Sequence, residues 1–175
     1  MTHTLPIPVL GFAAWSGTGK TTLLSRVLPI LRKSGLRCAL LKHAHHNFDI
    51  DHPGKDSYEL RKAGADQVLI ASRRRWALMV ESACEQDPSL AEMLERLDPG
   101  LADIVLVEGF KHERLSKIEL HRPTLGKPLL YPDDPDIIAI ASDEPLKTPL
   151  PHLDLNDPAA IAAFIIDFRH RHSTR

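Results

Sequence analysis

Residues 14–21 read Ala14-Trp15-Ser16-Gly17-Thr18-Gly19-Lys20-Thr21, and this run constrains the fold more than any other feature of the chain. It follows the phosphate-loop pattern G-x-x-x-x-G-K-[ST], with Ala14 in place of the first glycine. Backbone amides that wrap phosphates need small residues. A lysine must reach the outer phosphates, and a hydroxyl must serve Mg²⁺. Gly17, Gly19, Lys20 and Thr21 meet these needs, and Ser16, Thr18 and Thr22 complete the candidate binding stretch. The context agrees. Val9 to Ala14 is an apolar run ending in small residues, which reads as a buried strand. Lys20 to Ser34 reads as a helix, with Leu23, Leu24, Val27, Leu28 and Leu31 on one stripe and Gly35 where a C-cap belongs. Pro29 should kink or split that helix. Cys38 to Leu41 reads as a second buried strand, so a β-α-β unit fills the first 41 residues.

The remaining pattern extends this unit into an α/β fold of the P-loop NTPase type. A mostly parallel sheet is expected, with helices on both faces and an antiparallel addition. Asp56 with Glu59 resembles a capping box for a short helix ending near Gly64. Gln67 to Ser72 and Trp76 to Val80 read as strands around the basic turn Arg73-Arg74-Arg75, a strand hairpin inserted near residues 67–81. Trp76 is expected in the core or an interface, and Cys38 in the core. Asp87-Pro88 is expected to open a helix running to Leu97. Ile104 to Val107 and Ile137 to Ala141 are apolar strands; Lys117 to Leu120 is a further candidate. Proline-rich Leu125 to Asp136 reads as a loop, and Pro158 to Arg169 as a closing helix. With 175 residues, the chain is expected to form one nucleotide-binding domain.

Glu108 leaves its apolar strand at the carboxyl end, the sheet edge that carries the phosphate loop. A carboxylate there holds Mg²⁺ directly or through water, so Glu108 is the candidate metal and catalytic residue. Asp103 should sit at the strand's far end. Lys42 and His43 follow the second strand on the same edge and are candidate phosphate contacts. His45 and His46 are weaker candidates for a transition metal, with no third ligand at a recognisable spacing. Lys42 to Lys55 has no apolar period and has the character of a switch loop. Within it, Asp51 is the candidate for reaching Mg²⁺ through water and for sharing the catalytic role. Arg61 and Lys62 read as a solvated helix face, although Arg61 is also a candidate arginine finger.

Composition narrows the function classes. Apolar residues make up 43% and charged residues 26%, which excludes a mainly disordered chain. A net charge of -1 provides no global field for nucleic acid. The apolar stretch Val9 to Trp15 is far short of a membrane span, and the N-terminus does not read as a signal peptide. Two cysteines, Cys38 and Cys84, the latter expected at the surface, without C-x-x-C spacing argue against a disulfide scaffold and point to the cytoplasm.

Several segments together resemble the molybdopterin-guanine dinucleotide biosynthesis adapter family, MobB. They are the run from Phe12 to Thr22; Leu41-Lys42-His43; the run from Pro53 to Ala65; Arg75-Trp76-Ala77-Leu78-Met79; and Val107-Glu108-Gly109-Phe110-Lys111-His112. The resemblance covers essentially the whole chain, and the family shares the Ala14 departure. It implies GTP and Mg²⁺ binding, weak GTPase activity and a homodimer. It also implies a partner, the guanylyltransferase that joins GMP to molybdopterin, with the pterin cofactor as a further candidate ligand. The residues alone leave the base open. No N-K-x-D motif follows a strand; Gly54-Lys55-Asp56 has part of the lettering but precedes a helix. Asp143, after the late apolar strand, is a weak candidate for a place near a base. Two other functions fit the same motifs: a P-loop small-molecule kinase, and a GTP-driven metal chaperone using the histidine segment.

Overall fold

The N-terminal β-α-β unit forms where the pattern places it. β1 spans Val9–Ala14, α1 Lys20–Lys33 and β2 Cys38–Lys42. The computed structural model describes residues 5–44, 48–82, 86–110 and 112–173. His45, His46 and Cys84 therefore lie outside the described residues. The other elements are α2 Asp56–Lys62, β3 Gln67–Ala71, β4 Trp76–Val80, α3 Leu90–Leu94, β5 Ile104–Glu108, β6 Lys117–His121, β7 Ile137–Ser142, β8 His152–Asp154 and α4 Pro158–His172. The chain divides into two compact units: residues 1–43 with 89–175, and residues 44–88.

The first unit is built on a six-stranded sheet in the order β2-β5-β1-β6-β7-β8, and every pair in it is parallel. Parallel strands need crossovers and covered faces, which the near-continuous apolar runs anticipate. On one face, Leu10, Phe12, Ile104, Leu106, Ile118 and Leu120 pack against the stripes of α1 and α4. On the other, Val9, Val105 and Val107 meet Leu90 and Leu94 of α3. Ala13, Ile137 and Ile140 meet Leu129, Leu130 and Tyr131 of the proline-rich loop. That loop is fastened to the sheet by Glu119. The wholly buried carboxylate accepts the backbone N–H of Leu130 at 2.7 Å and of Tyr131 at 2.9 Å. Burial pushes its pKa up. Beside it, buried Lys117 pairs with Asp134 at 2.7 Å.

Some local expectations are corrected. Pro29 does not split α1, which runs unbroken through it. Leu23, Leu24, Val27 and Leu31 are all buried, and tertiary packing outweighs one missing helix bond. β2 is half exposed because it is the edge strand and, among the described residues, pairs only with β5. The cap of α2 is Lys55 rather than Asp56, and Glu59 accepts the Gly54 N–H instead. The helix expected from Asp87 to Leu97 is the shorter α3. Its cap is Ser89, which forms a full capping box with Glu92. Asp103 does sit at the amino end of β5, but it is not merely solvated. It accepts three N–H bonds from Arg37, and that guanidinium holds its pKa down at about 2.

In the second unit β3 and β4 form a separate antiparallel pair, with Leu69 opposite Leu78 and Ala71 opposite Trp76. Trp76 is 66% exposed and is not a core residue of this chain.

Candidate functional site

All six parallel strands end along one edge, and the P-loop leaves that edge from the middle of the sheet, after β1. Gly17 and Gly19 have φ of +83° and +94°. A side chain at either would strain the turn, so glycine is what lets the backbone curl there. Gly19 is the N-cap of α1 and gives no side-chain cap, and the first turn holds no acidic residue. The N-terminus of a 14-residue helix therefore keeps both its partial positive charge and its backbone donors available for an anion. Thr18 is buried, and its hydroxyl donates to the Trp15 carbonyl at 2.7 Å, which closes the loop on itself. Ser16, Thr21 and Thr22 are exposed at the loop and the first turn.

Three charged groups meet beside the loop. Lys20 Nζ lies 4.0 Å from Glu108 Oε1, and Lys42 Nζ lies 3.9 Å from the same oxygen. Parallel pairing produces this meeting, since Lys42 and Glu108 are register partners at the ends of β2 and β5. Glu108 thus ends between two ammonium groups beside the loop, and a carboxylate is the ligand type that hard divalent cations take. His43 donates its backbone N–H to the Glu108 carbonyl at 2.8 Å, and its ring stacks on Phe110 at 4.8 Å. Gly109 allows this approach, because a Cβ there would stand 2.9 Å from the His43 carbonyl oxygen.

Asp51 lies in the second unit. It is buried and pairs with Arg61 at 2.7 Å, and that hydrogen bond holds its pKa low. Arg61 also binds Asp49 at 2.6 Å and Glu81 at 2.9 Å. It is thus the hub of a carboxylate cluster rather than part of a solvated face. Glu108, Lys20, Thr21, Lys42 and His43 all belong to the first unit. Among the described residues no group of three or more His, Cys, Asp or Glu is arranged to hold a metal ion. Among them, too, no helix is long and apolar enough to cross a membrane.

The sequence reading missed the support of the loop. Arg122 follows β6, and its Nε donates to the Thr18 carbonyl at 2.9 Å. Its Nη1 pairs with Asp143, just after β7. Trp15 donates its indole N–H to the Pro128 carbonyl at 2.8 Å, under the ammonium of Lys127. The P-loop is therefore fastened to the β6 end and to the proline-rich loop that Glu119 anchors.

The family model described as "Molybdopterin guanine dinucleotide synthesis protein B" matches residues 9–143. The chain is 49% identical over 166 residues to the molybdopterin-guanine dinucleotide biosynthesis adapter protein of Escherichia coli (strain K12). That match covers 94% of this chain and 95% of the relative. It is 42% identical to the protein of the same description from Haemophilus influenzae, covering 94% and 90%. A crystal structure of molybdopterin-guanine biosynthesis protein B superposes with a TM-score of 0.74 at 29% identity, covering 93% of this chain and 99% of that one.

Proposed function

The chain belongs to the molybdopterin guanine dinucleotide synthesis protein B family, and from that premise we propose that it is a GTP-binding adapter of molybdopterin guanine dinucleotide biosynthesis. It acts in the cytoplasm as a homodimer, beside the guanylyltransferase that joins GMP to molybdopterin. The observation that carries the nucleotide reading is the uncapped, acid-free N-terminus of α1 with Lys20 and Glu108 beside it. The donor set fits a nucleotide phosphate and a hard cation.

The backbone amides from Ser16 to Thr22 cradle the phosphates, and Lys20 adds charge-assisted hydrogen bonds to the outer ones. Lys42 and His43 flank that position. Mg²⁺, when bound, neutralises charge on the phosphoryl oxygens. The Thr21 hydroxyl and the Glu108 carboxylate would hold it. Glu108 changes partners in this reading, from the two lysines to the cation. Hydrolysis is slow. Arg61, the arginine that would serve as a finger, is engaged by three carboxylates of its own unit.

Calorimetry with GTP, GDP and ATP, with and without Mg²⁺ and then with the purified guanylyltransferase, tests the proposal. Mg²⁺-dependent GTP binding is expected, with an affinity that changes when the transferase is present. No heat with any nucleotide overturns the reading. Rapid formation of a phosphorylated small molecule identifies a kinase instead.

A further inference from the structure

Trp15 is the first residue after β1, and both its backbone and its side chain are engaged. Its carbonyl accepts the Thr18 hydroxyl at 2.7 Å and the Thr18 N–H at 3.3 Å, so its backbone closes the turn of the P-loop. Its indole N–H donates to the Pro128 carbonyl at 2.8 Å, 113 positions along the chain. The Lys127 ammonium lies 5.8 Å from the ring centroid, within reach of a cation–π contact. Just beyond Pro128, buried Glu119 accepts the N–H of Leu130 and of Tyr131. A line of contacts thus runs from β6 through Glu119, the 128–131 backbone and the indole to the backbone of the P-loop. The loop has need of outside support. Gly17 and Gly19 both have positive φ, and a Cβ at Gly17 would meet no described atom within 4 Å, so the turn is sterically loose there.

We propose that Trp15 is a positioning residue for nucleotide binding: as a strut from the Glu119-anchored loop, it holds the free P-loop in its phosphate-accepting form. Ordering a glycine-rich loop at the moment of binding costs conformational entropy, and a loop already ordered avoids that cost. When only a fraction of the free protein has the competent loop, the apparent dissociation constant rises by the inverse of that fraction. In the bound state the phosphates themselves hold the loop amides. The strut therefore acts on the free protein, and its loss slows association while leaving dissociation nearly unchanged. It supports the whole turn rather than one phosphate, so GTP and GDP are affected alike.

The inference rests on nucleotide binding at the P-loop, as proposed above, and the experiment separates the two. Trp15→Phe keeps an aromatic ring and removes the donor. Glu119→Gln keeps the side-chain size and removes one of the two acceptors. Calorimetry and stopped-flow mixing with GTP or GDP and Mg²⁺ compare wild type, each variant and the double variant. Each single change is expected to weaken both nucleotides about 2–10-fold, the worth of one hydrogen bond, through slower association. The double variant should lose little more than the weaker single one, because both changes break the same strut. Trp76→Phe leaves Trp15 as the sole tryptophan. In that background Glu119→Gln should red-shift the emission of the free protein, and saturating GTP should restore it. A Trp15→Phe protein that melts lower but associates at the wild-type rate overturns the strut and leaves the phosphate site standing. So do losses that simply multiply in the double variant. No wild-type binding of either nucleotide overturns both readings. If Trp15→Phe does not fold, the rates and emission of Glu119→Gln decide: wild-type values for both overturn the strut.

Discussion

Lys20 makes the plainest test at the scale of single residues. Lys20→Ala should keep the fold, since the side chain lies at the loop and outside the core. It should lose about 10–100-fold in triphosphate affinity, the worth of hydrogen bonds from a charged donor. Unchanged affinity in calorimetry would remove the lysine from the phosphate site. Gly109→Ala tests the turn behind Glu108. Its φ is +102°, and the new methyl would press on the His43 carbonyl, so a lower melting temperature is expected. A melting curve like wild type would show that His43 yields without cost. Asp103 gives the pH dependence. Its folded pKa of about 2 lies below the ordinary value of about 3.9, so its contribution is present above that value and is lost as pH falls toward 2. Asp103→Asn should therefore lower stability near neutral pH and flatten its loss between about pH 4 and 2; an unaltered acid profile would exclude the Arg37 pair as its source. These residues also mark what a sequence reveals. The P-loop is local, eight consecutive residues whose chemistry is explicit. Arg37 meets Asp103 across 66 positions, and Arg122 meets Thr18 across 104, so only the strand order brings them together.

Among the elements, those with strong periodicity or continuous apolar character were legible: β1, α1, β5, β7 and α4 lie where the pattern puts them. The rest depend on context. β8 is three residues long and is a strand only because β7 offers it an edge. The start of α3 was misplaced because two cap signals compete, and Ser89 with Glu92 outbids Asp87-Pro88 by closing both halves of a capping box. Ser89→Ala should cost about 1 kcal/mol, measured by denaturant unfolding. Pro29 is a case where packing overrides a local rule. It lies exposed inside α1, where the ring removes one helix bond. Pro29→Ala restores a donor on the solvent side and should stabilise by about 1–3 kcal/mol. A loss of stability would mean that the proline's stiffening of the unfolded chain is the larger effect. The proline-rich loop offers a contrast, since an irregular segment there is held by one side chain. Glu119→Ala leaves the Leu130 and Tyr131 amides without their acceptor and should cost about 2–5 kcal/mol. Because Pro128 accepts the Trp15 indole, the same change should also weaken nucleotide binding.

For the whole molecule, the exposed side of the second unit bears most directly on assembly. Register places Leu69, Ala71, Trp76, Leu78 and Val80 on one face of the β3–β4 pair, and all five are exposed. On the opposite face Val68, Ala77 and Met79 are half-buried, while Ile70 is exposed. A two-stranded ribbon is marginal alone in water, and a contiguous apolar face of this kind marks an interaction site. Among the described residues both strands also lack a second neighbour, so each has an open edge. A second copy of the chain satisfies these demands together, because a two-fold axis sets the same apolar face against itself. This is the observation behind the proposed homodimer. In the proposed dimer the second copy would cover Trp76, which the sequence places in the core or an interface and which is exposed in the single chain. Wild-type protein should scatter light as twice the 19.5 kDa chain at micromolar concentration. Leu69→Lys combined with Leu78→Lys sets like charges directly opposite each other on that face and should give a monomer. The P-loop belongs to the other unit, so the monomer should keep its nucleotide affinity while its response to the guanylyltransferase is free to change. A wild-type monomer at these concentrations, or a double variant that remains dimeric, would move the interface away from the hairpin.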